Sequence, residues 1–167
     1  MTATTIDCAD AAARQAAAEQ AATLLAEGGL VVFPTETVYG VAAAVASERG
    51  MARLAELKQR PPDKPFSIHM PGADSAGRYI DLDTQATARR LIQRTMPGPI
   101  TIVAEADDAT IAAKLQAFDL PADKRTMLYH GQTIGLRCPD DPVAADLLGR
   151  IDGPVVASSA NHARQAP

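Results

Sequence analysis

Apolar and polar positions along the chain switch repeatedly between helical and alternating spacing, and the switches lay out a series of short elements. Asp10 to Glu27 is Ala-rich and breaks at Gly28-Gly29, which predicts a helix with a glycine stop. Leu30 to Phe33 is apolar without alternation, the pattern of a central strand covered on both faces. Pro34 ends it, and Thr35 to Gly40 reads as a polar loop. Ser47 is placed to cap a second helix through Leu57, with Met51, Leu54 and Ala55 as its inner stripe. Phe66, Ile68 and Met70 then alternate with Ser67 and His69, as in a strand with one apolar and one polar face.

Pro71-Gly72 marks a turn, and Asp83 is placed to cap a helix through Arg94 that stops at Pro97-Gly98-Pro99. Ile100 to Glu105 is the next strand, with Ile100 and Ile102 on one side and Thr101 on the other. Asp107 to Gly131 is the least legible stretch; it holds a short helix near Ile111 to Phe118 and a basic polar loop around Lys124-Arg125. Thr133 to Cys138 alternates again, setting Ile134, Leu136 and Cys138 against Thr133, Gly135 and Arg137. Pro142 opens a short helix to Gly149, and Pro154 to Ala157 is a last apolar strand leading into Ser158-Ser159-Ala160-Asn161. Strands interleaved with helices predict an α/β layered domain, and runs this short suit a mixed sheet. If the polar strand faces share one side of the sheet, Ser67, His69, Thr101, Thr133 and Arg137 form a concave surface there. A ligand would take the place of a covering helix.

Composition narrows the picture. The 167 residues, without repeats or an inter-domain linker, fit one domain spanning 1–167, and 47% apolar content makes it globular. A net charge of −4 argues against a protein that coats nucleic acid non-specifically, so any bound anion should meet a local cluster of cations. Cys8 and Cys138 have no metal or redox spacing and read as reduced thiols. The N-terminus has no apolar signal region, and no apolar run approaches the ~18 residues of a membrane helix. A soluble cytoplasmic protein without a membrane partner is expected. No His/Cys/Asp/Glu cluster has metal-ligand spacing, so no metal site is expected, and His130 and His162 read as loop residues.

The densest candidate chemistry lies in KQRPPDKPFSIH, residues 58–69. Pro61 disfavours α geometry at Arg60, and in an extended segment Lys58 and Arg60, two apart, point the same way. Two cations then aim at one point beside a polar strand face, an anion site or, more plainly, a surface ion-pairing segment. Ser159 and Asn161 repeat the two-residue spacing after the last strand, where they can touch one ligand together or cap a turn.

In this order, GGLVVFPTETVYG, KQRPPDKPFSIH, MPGPITIV, GLRCPDDPVA and PVVASSAN resemble the YrdC-like family of L-threonylcarbamoyladenylate synthases, over roughly Gly28 to Asn161. The family's paired signature, Lys-x-Arg with Ser/Thr-x-Asn, is present as Lys58-Gln59-Arg60 and Ser159-Ala160-Asn161. The resemblance implies a twisted α/β mixed sheet with flanking helices and a concave, locally basic ligand face. It implies formation of threonylcarbamoyl-adenylate and pyrophosphate from L-threonine, bicarbonate and ATP, with magnesium arriving on the ATP. Partner enzymes would then transfer the threonylcarbamoyl group to tRNA, with which this chain itself would make a weak contact.

By the same resemblance, Lys58 and Arg60 are catalytic and bind ATP together with Thr101, Ser159 and Asn161. Thr35, Tyr39, His69 and Arg137 would serve threonine, Arg137 through its carboxylate. Thr101 also reads as an ordinary strand threonine, His69 as a structural strand histidine, and Tyr39 as a core-packing ring. After the Ser-x-Asn element the family continues with a Ser-Gly pair and residues closing the site; here His162 to Pro167 follow, so a shortened C-terminal end is expected. Residues 107–131 match the family poorly. Two rival readings use the same face: an RNA-binding module without chemistry, opposed by the acidic balance and scarce aromatics, and a carbamoyl-adenylate-forming relative of hydrogenase maturation, opposed by the lack of zinc-finger segments.

Overall fold

The computed structural model describes residues 3–60 and 64–161; the Pro61-Pro62 pair, His162 and the rest of the C-terminal end after Asn161 lie outside them. Helix α1 (Ala11–Ala26) starts where Asp10 accepts the Ala13 N–H, and α2 (Glu48–Lys58) where Ser47 accepts that of Gly50. Helices α3 (Ala86–Thr95), α4 (Asp108–Ala117), the single turn α5 (Arg125–Leu128) and α6 (Pro142–Gly149) follow. Strands β1 (Val31–Phe33), β2 (Gly40–Ala44), β3 (Ser67–His69), β4 (Thr101–Glu105), β5 (Thr133–Arg137) and β6 (Val155–Ser159) form one sheet in the order β1-β2-β6-β3-β5-β4. All pairs are antiparallel except β3 with β5. The sheet is therefore mixed, as its short runs predict.

Three expectations need correction here. The run Leu30 to Phe33 supplies an edge strand, not a central one: Phe33 is buried on one face while Val32 is 60% exposed. The strand covered on both faces is β2, where every residue of GVAAA is buried. Small side chains hide it from a sequence reading, since Gly and Ala carry little strand preference. Helix α3 begins at Ala86 behind Gln85, without a side-chain cap, and Asp83 instead sits 4.0 Å from Arg89 on the surface. Finally, Lys124 belongs to no basic loop. It is 5% exposed in a short 3-10 turn (Ala122–Lys124), and its Nζ lies 3.1 Å from Glu48 Oε1 at the start of α2.

The two faces of the sheet are covered unequally, and this creates the site. One face is apolar across five strands, with Val41 and Ala43, Val156, Ile68, Ile134 and Leu136, and Ile102 and Ala104. It packs with Met51 and Leu54 of α2, Ile92 of α3 and Ile111 and Leu115 of α4. The opposite face is apolar only over β1, β2 and β6, where Phe33, Ala42, Ala44, Val155 and Ala157 meet Ala21 and Leu25 of α1 and Ala144, Leu147 and Leu148 of α6. Burial at about 25 cal/mol per Å² drives both contacts. Alanines on α1, α6 and β2 let the helices approach closely. Beyond β6 that face turns polar, and no helix of either cluster covers it.

Candidate active site

The strand register builds the polar half-face. Arg137 of β5 stands opposite His69 of β3 on one side and Thr101 of β4 on the other, while Ser67 stands opposite Ala157. Period-two alternation then puts Ser67, His69, Thr101 and Arg137 on one face. They line a cleft of about 190 Å³ with Thr35, Tyr39, Arg60 and Ser159. A larger hollow of about 510 Å³ lies between α4 and residues 119–122, but its lining is mostly apolar and Asp119 is its sole ionisable group. Chemistry favours the smaller cleft. Thr133, expected on the same surface, pairs with Glu105 at the far end of β5 and donates its hydroxyl to His130 O at 2.9 Å, outside the cleft.

Lys58 and Arg60 reach the site differently from the extended geometry that their spacing suggests. Lys58 is the last residue of α2, and Gln59 caps the helix in the left-handed region at φ 46°. The chain turns there, so Arg60 does not continue an extended segment from Lys58. Lys58 Nζ donates to the carbonyls of Ser159 at 2.8 Å and Asn161 at 2.5 Å, tying α2 to the end of β6. Arg60 enters the cleft itself. Its Nε donates to Lys64 O at 2.8 Å and its Nη2 to Pro65 O, while its guanidinium lies 4.5 Å over the Phe66 ring. Partial burial lowers its pKa, and an arginine still stays charged. Two backbone carbonyls and an aromatic face hold this cation in one place.

His69 is 8% exposed and packs edge-on against Phe33. Burial lowers its pKa from 6.5 to about 4; the Ser67 carbonyl and Glu36 oppose the shift, and Arg137 adds to it. The imidazole is therefore neutral near pH 7. Its Nδ1 lies 3.1 Å from Ser67 O, which can only accept, so Nδ1 carries the proton and Nε2 is an acceptor. Thr35 spends its hydroxyl locally, donating to Val38 O at 2.7 Å and accepting the Thr37 N–H at 3.2 Å. Tyr39 is 63% exposed at the cleft wall, so it does not pack on the core.

Sequence reasoning missed Glu36. Its Oε1 lies 2.7 Å from Arg137 Nη2, and Thr37 Oγ1 lies 2.8 Å from the same nitrogen. The signal was present, since Glu36 stands in the TETVYG loop beside Thr35, but only the tertiary structure sets it against β5. Thr37 and Ser158, which also line the cleft, were likewise missed as site residues. Among the described residues no group of three His, Cys, Asp or Glu side chains is placed to hold a metal ion.

A mixed sheet whose half-open face brings two arginines, a neutral histidine and several hydroxyls together defines a small-ligand-binding α/β domain. Comparison with known proteins adds the family. Residues 23–167 match the Sua5–YciO–YrdC family model, described as "Telomere recombination", and the chain belongs to this family. It is 33% identical over 144 residues to a Bacillus subtilis protein named threonylcarbamoyl-AMP synthase, covering 85% of this chain and 37% of that protein. A Pyrococcus abyssi protein of the same name is 31% identical over 141 residues, covering 84% of this chain and 37% of its own length. The chain thus spans well under half of either relative. The solved structure of P. abyssi Sua5 complexed with L-threonine superposes with a TM-score of 0.68 at 29% identity, over 93% of this chain and 40% of that one.

Proposed function

We propose that this chain forms L-threonylcarbamoyl-adenylate from L-threonine, bicarbonate and ATP, releasing pyrophosphate. One observation carries the reading. Arg60 and Ser159, about a hundred residues apart, line one cleft, and next to it Lys58 Nζ donates to the carbonyls of Ser159 and Asn161. The proteins named threonylcarbamoyl-AMP synthase and the threonine-bound Sua5 structure supply the substrate class.

In the proposed reaction bicarbonate gives carbon dioxide and hydroxide, and the threonine amine captures the carbon dioxide as a carbamate, its released proton forming water with the hydroxide. A carbamate oxygen attacks the α-phosphorus of ATP, the bond to the β-phosphate oxygen breaks, and pyrophosphate leaves with the electron pair. Nucleophile and triphosphate are both anionic, so positioning and fixed positive charge supply most of the acceleration. Arg60, pinned by the Lys64 and Pro65 carbonyls, offers its remaining donors to phosphate. Lys58 acts chiefly by holding the Ser159–Asn161 segment, with one ammonium hydrogen left for a phosphate oxygen. Thr101, Ser159 and Asn161 bind the nucleotide; Thr35, Tyr39, His69 and Arg137 bind threonine. Neutral His69 serves as a hydrogen-bond acceptor through Nε2, not as a cation. Magnesium enters on ATP, held by phosphates and water.

The product is a reactive mixed anhydride, so an enzyme that transfers its acyl group to tRNA must consume it, and this chain's own tRNA contact is weak. The proposal places the reaction in the cytoplasm. Incubation with ATP, magnesium, bicarbonate and L-threonine, followed by mass spectrometry, tests it. Product is expected from the intact chain and should fall at least a hundredfold in Arg60→Ala. Undiminished product in that variant contradicts the role of Arg60. Absence of product from the intact chain, with tight salt-sensitive tRNA binding, replaces synthesis with RNA recognition.

A further inference from the structure

Glu36 sits beside the cleft without lining it. Its backbone is exposed, yet its side chain and that of Arg137 are each only 18% exposed. Both carboxylate oxygens are engaged: Oε1 accepts from Arg137 Nη2 at 2.7 Å, and Oε2 accepts the backbone N–H of Asp140 at 3.0 Å. Thr37 Oγ1 accepts the second hydrogen of the same Nη2 at 2.8 Å. The Asp140 amide fixes the carboxylate, and the carboxylate with Thr37 fixes the guanidinium plane. A planar donor fork pinned on one nitrogen can no longer swing.

What remains on Arg137 is the Nη1 pair and Nε–H. Among the described residues Nε is buried and has no hydrogen-bond partner. A buried donor left unpaired carries a desolvation cost that an incoming acceptor relieves. The charge balance agrees, because Glu36 cancels the formal charge of Arg137 and adjacent His69 is neutral. This part of the cleft therefore selects by the direction of its donors more than by net positive charge.

We infer that Glu36 is a positioning residue: from outside the cleft it clamps Arg137 so that the free donors of the guanidinium meet the carboxylate of the amino-acid substrate. The inference rests on the reading above, in which Arg137 receives that carboxylate. Glu36→Gln preserves shape but leaves one acceptor oxygen for two donors, so one of the two clamps must open.

The test is equilibrium binding by calorimetry of L-threonine, of L-threoninol, which lacks the carboxylate, and of magnesium ATP, to the intact chain and to Glu36→Gln. The variant is expected to bind L-threonine at least tenfold more weakly, with L-threoninol and ATP within twofold of the parent and an unchanged melting temperature. Unchanged or tighter threonine binding overturns the inference, the tighter case marking Glu36 as a competitor for Arg137. Equal loss for all three ligands also overturns it, since that is the signature of a merely structural residue. If Glu36→Gln does not fold, Thr37→Val removes the other Nη2 acceptor and should cost about threefold for threonine alone; no loss, or loss shared with threoninol, overturns the claim. A parent chain that binds threoninol as well as threonine refutes the carboxylate role of Arg137 itself, and this inference with it.

Discussion

His69 shows how a single side chain's surroundings change its chemistry. An imidazole near neutrality in water is held here at about 4, chiefly by burial. Because the folded state disfavours the proton, unfolded chains take it up first as pH falls. The contribution to stability is full above 6.5 and is lost between 6.5 and about 4. Its ceiling is ~3 kcal/mol, since each tenfold change in proton affinity is worth about 1.4 kcal/mol. Denaturant titrations across that window should show the loss in the parent and a flatter profile in His69→Asn; equal slopes would mean that other groups govern acid unfolding. Lys58 and Arg60 carry a second lesson at this scale. Their chemical types were legible, but their directions were not, because Gln59 adopts a left-handed conformation that its sequence neighbours do not announce.

Among the elements, helix starts were read best where a short polar side chain stands before the first turn. Ser47 caps as expected, Asp10 at the expected start of α1 turns out to be its cap, and Pro142 opens α6 behind Asp141, whose carboxylate accepts the N–H groups of Val143 at 2.8 Å and Ala144 at 3.0 Å. Asp141→Ala should therefore cost about 1 kcal/mol of unfolding free energy in urea titration. The cleft should be little affected, since α6 covers the other half of the sheet. Strands were legible where large apolar residues alternate, as in β3 and β5, and illegible where alanines fill both faces, as in β2. Within β5, a Cβ at Gly135 would meet Ser67 Oγ at 3.1 Å and Thr101 Cγ2 at 3.5 Å, both from cleft-lining residues. The serine hydroxyl can rotate away. Gly135→Ala is thus expected to shift the urea midpoint little while raising KM at least fivefold; a stability loss with unaltered KM would place the strain in the sheet instead.

For the whole molecule, the organising fact is a sheet packed across five strands on one face and covered by two helices on half of the other. A ligand seated on the uncovered half binds only the folded state, so it must stabilise the protein by mass action. Saturation with magnesium ATP alone at about a hundred times Kd corresponds to ~2.7 kcal/mol, a rise in Tm of about 5–10 °C for a chain of this size. Arg60→Ala should melt close to the parent without ligand and show little of that rise; an equal rise would move the nucleotide elsewhere. The amino-acid sequence by itself determined the class of fold, the starts of α1, α2 and α6 and the alternating strands, because capping and periodicity act over a few residues. Only the tertiary structure decided that β2 is central and β1 an edge, that Lys58 clasps the end of β6, that burial keeps His69 neutral, and that Glu36 holds Arg137. Those facts depend on which strands become neighbours and how much water each face retains, and no local pattern along the chain encodes either.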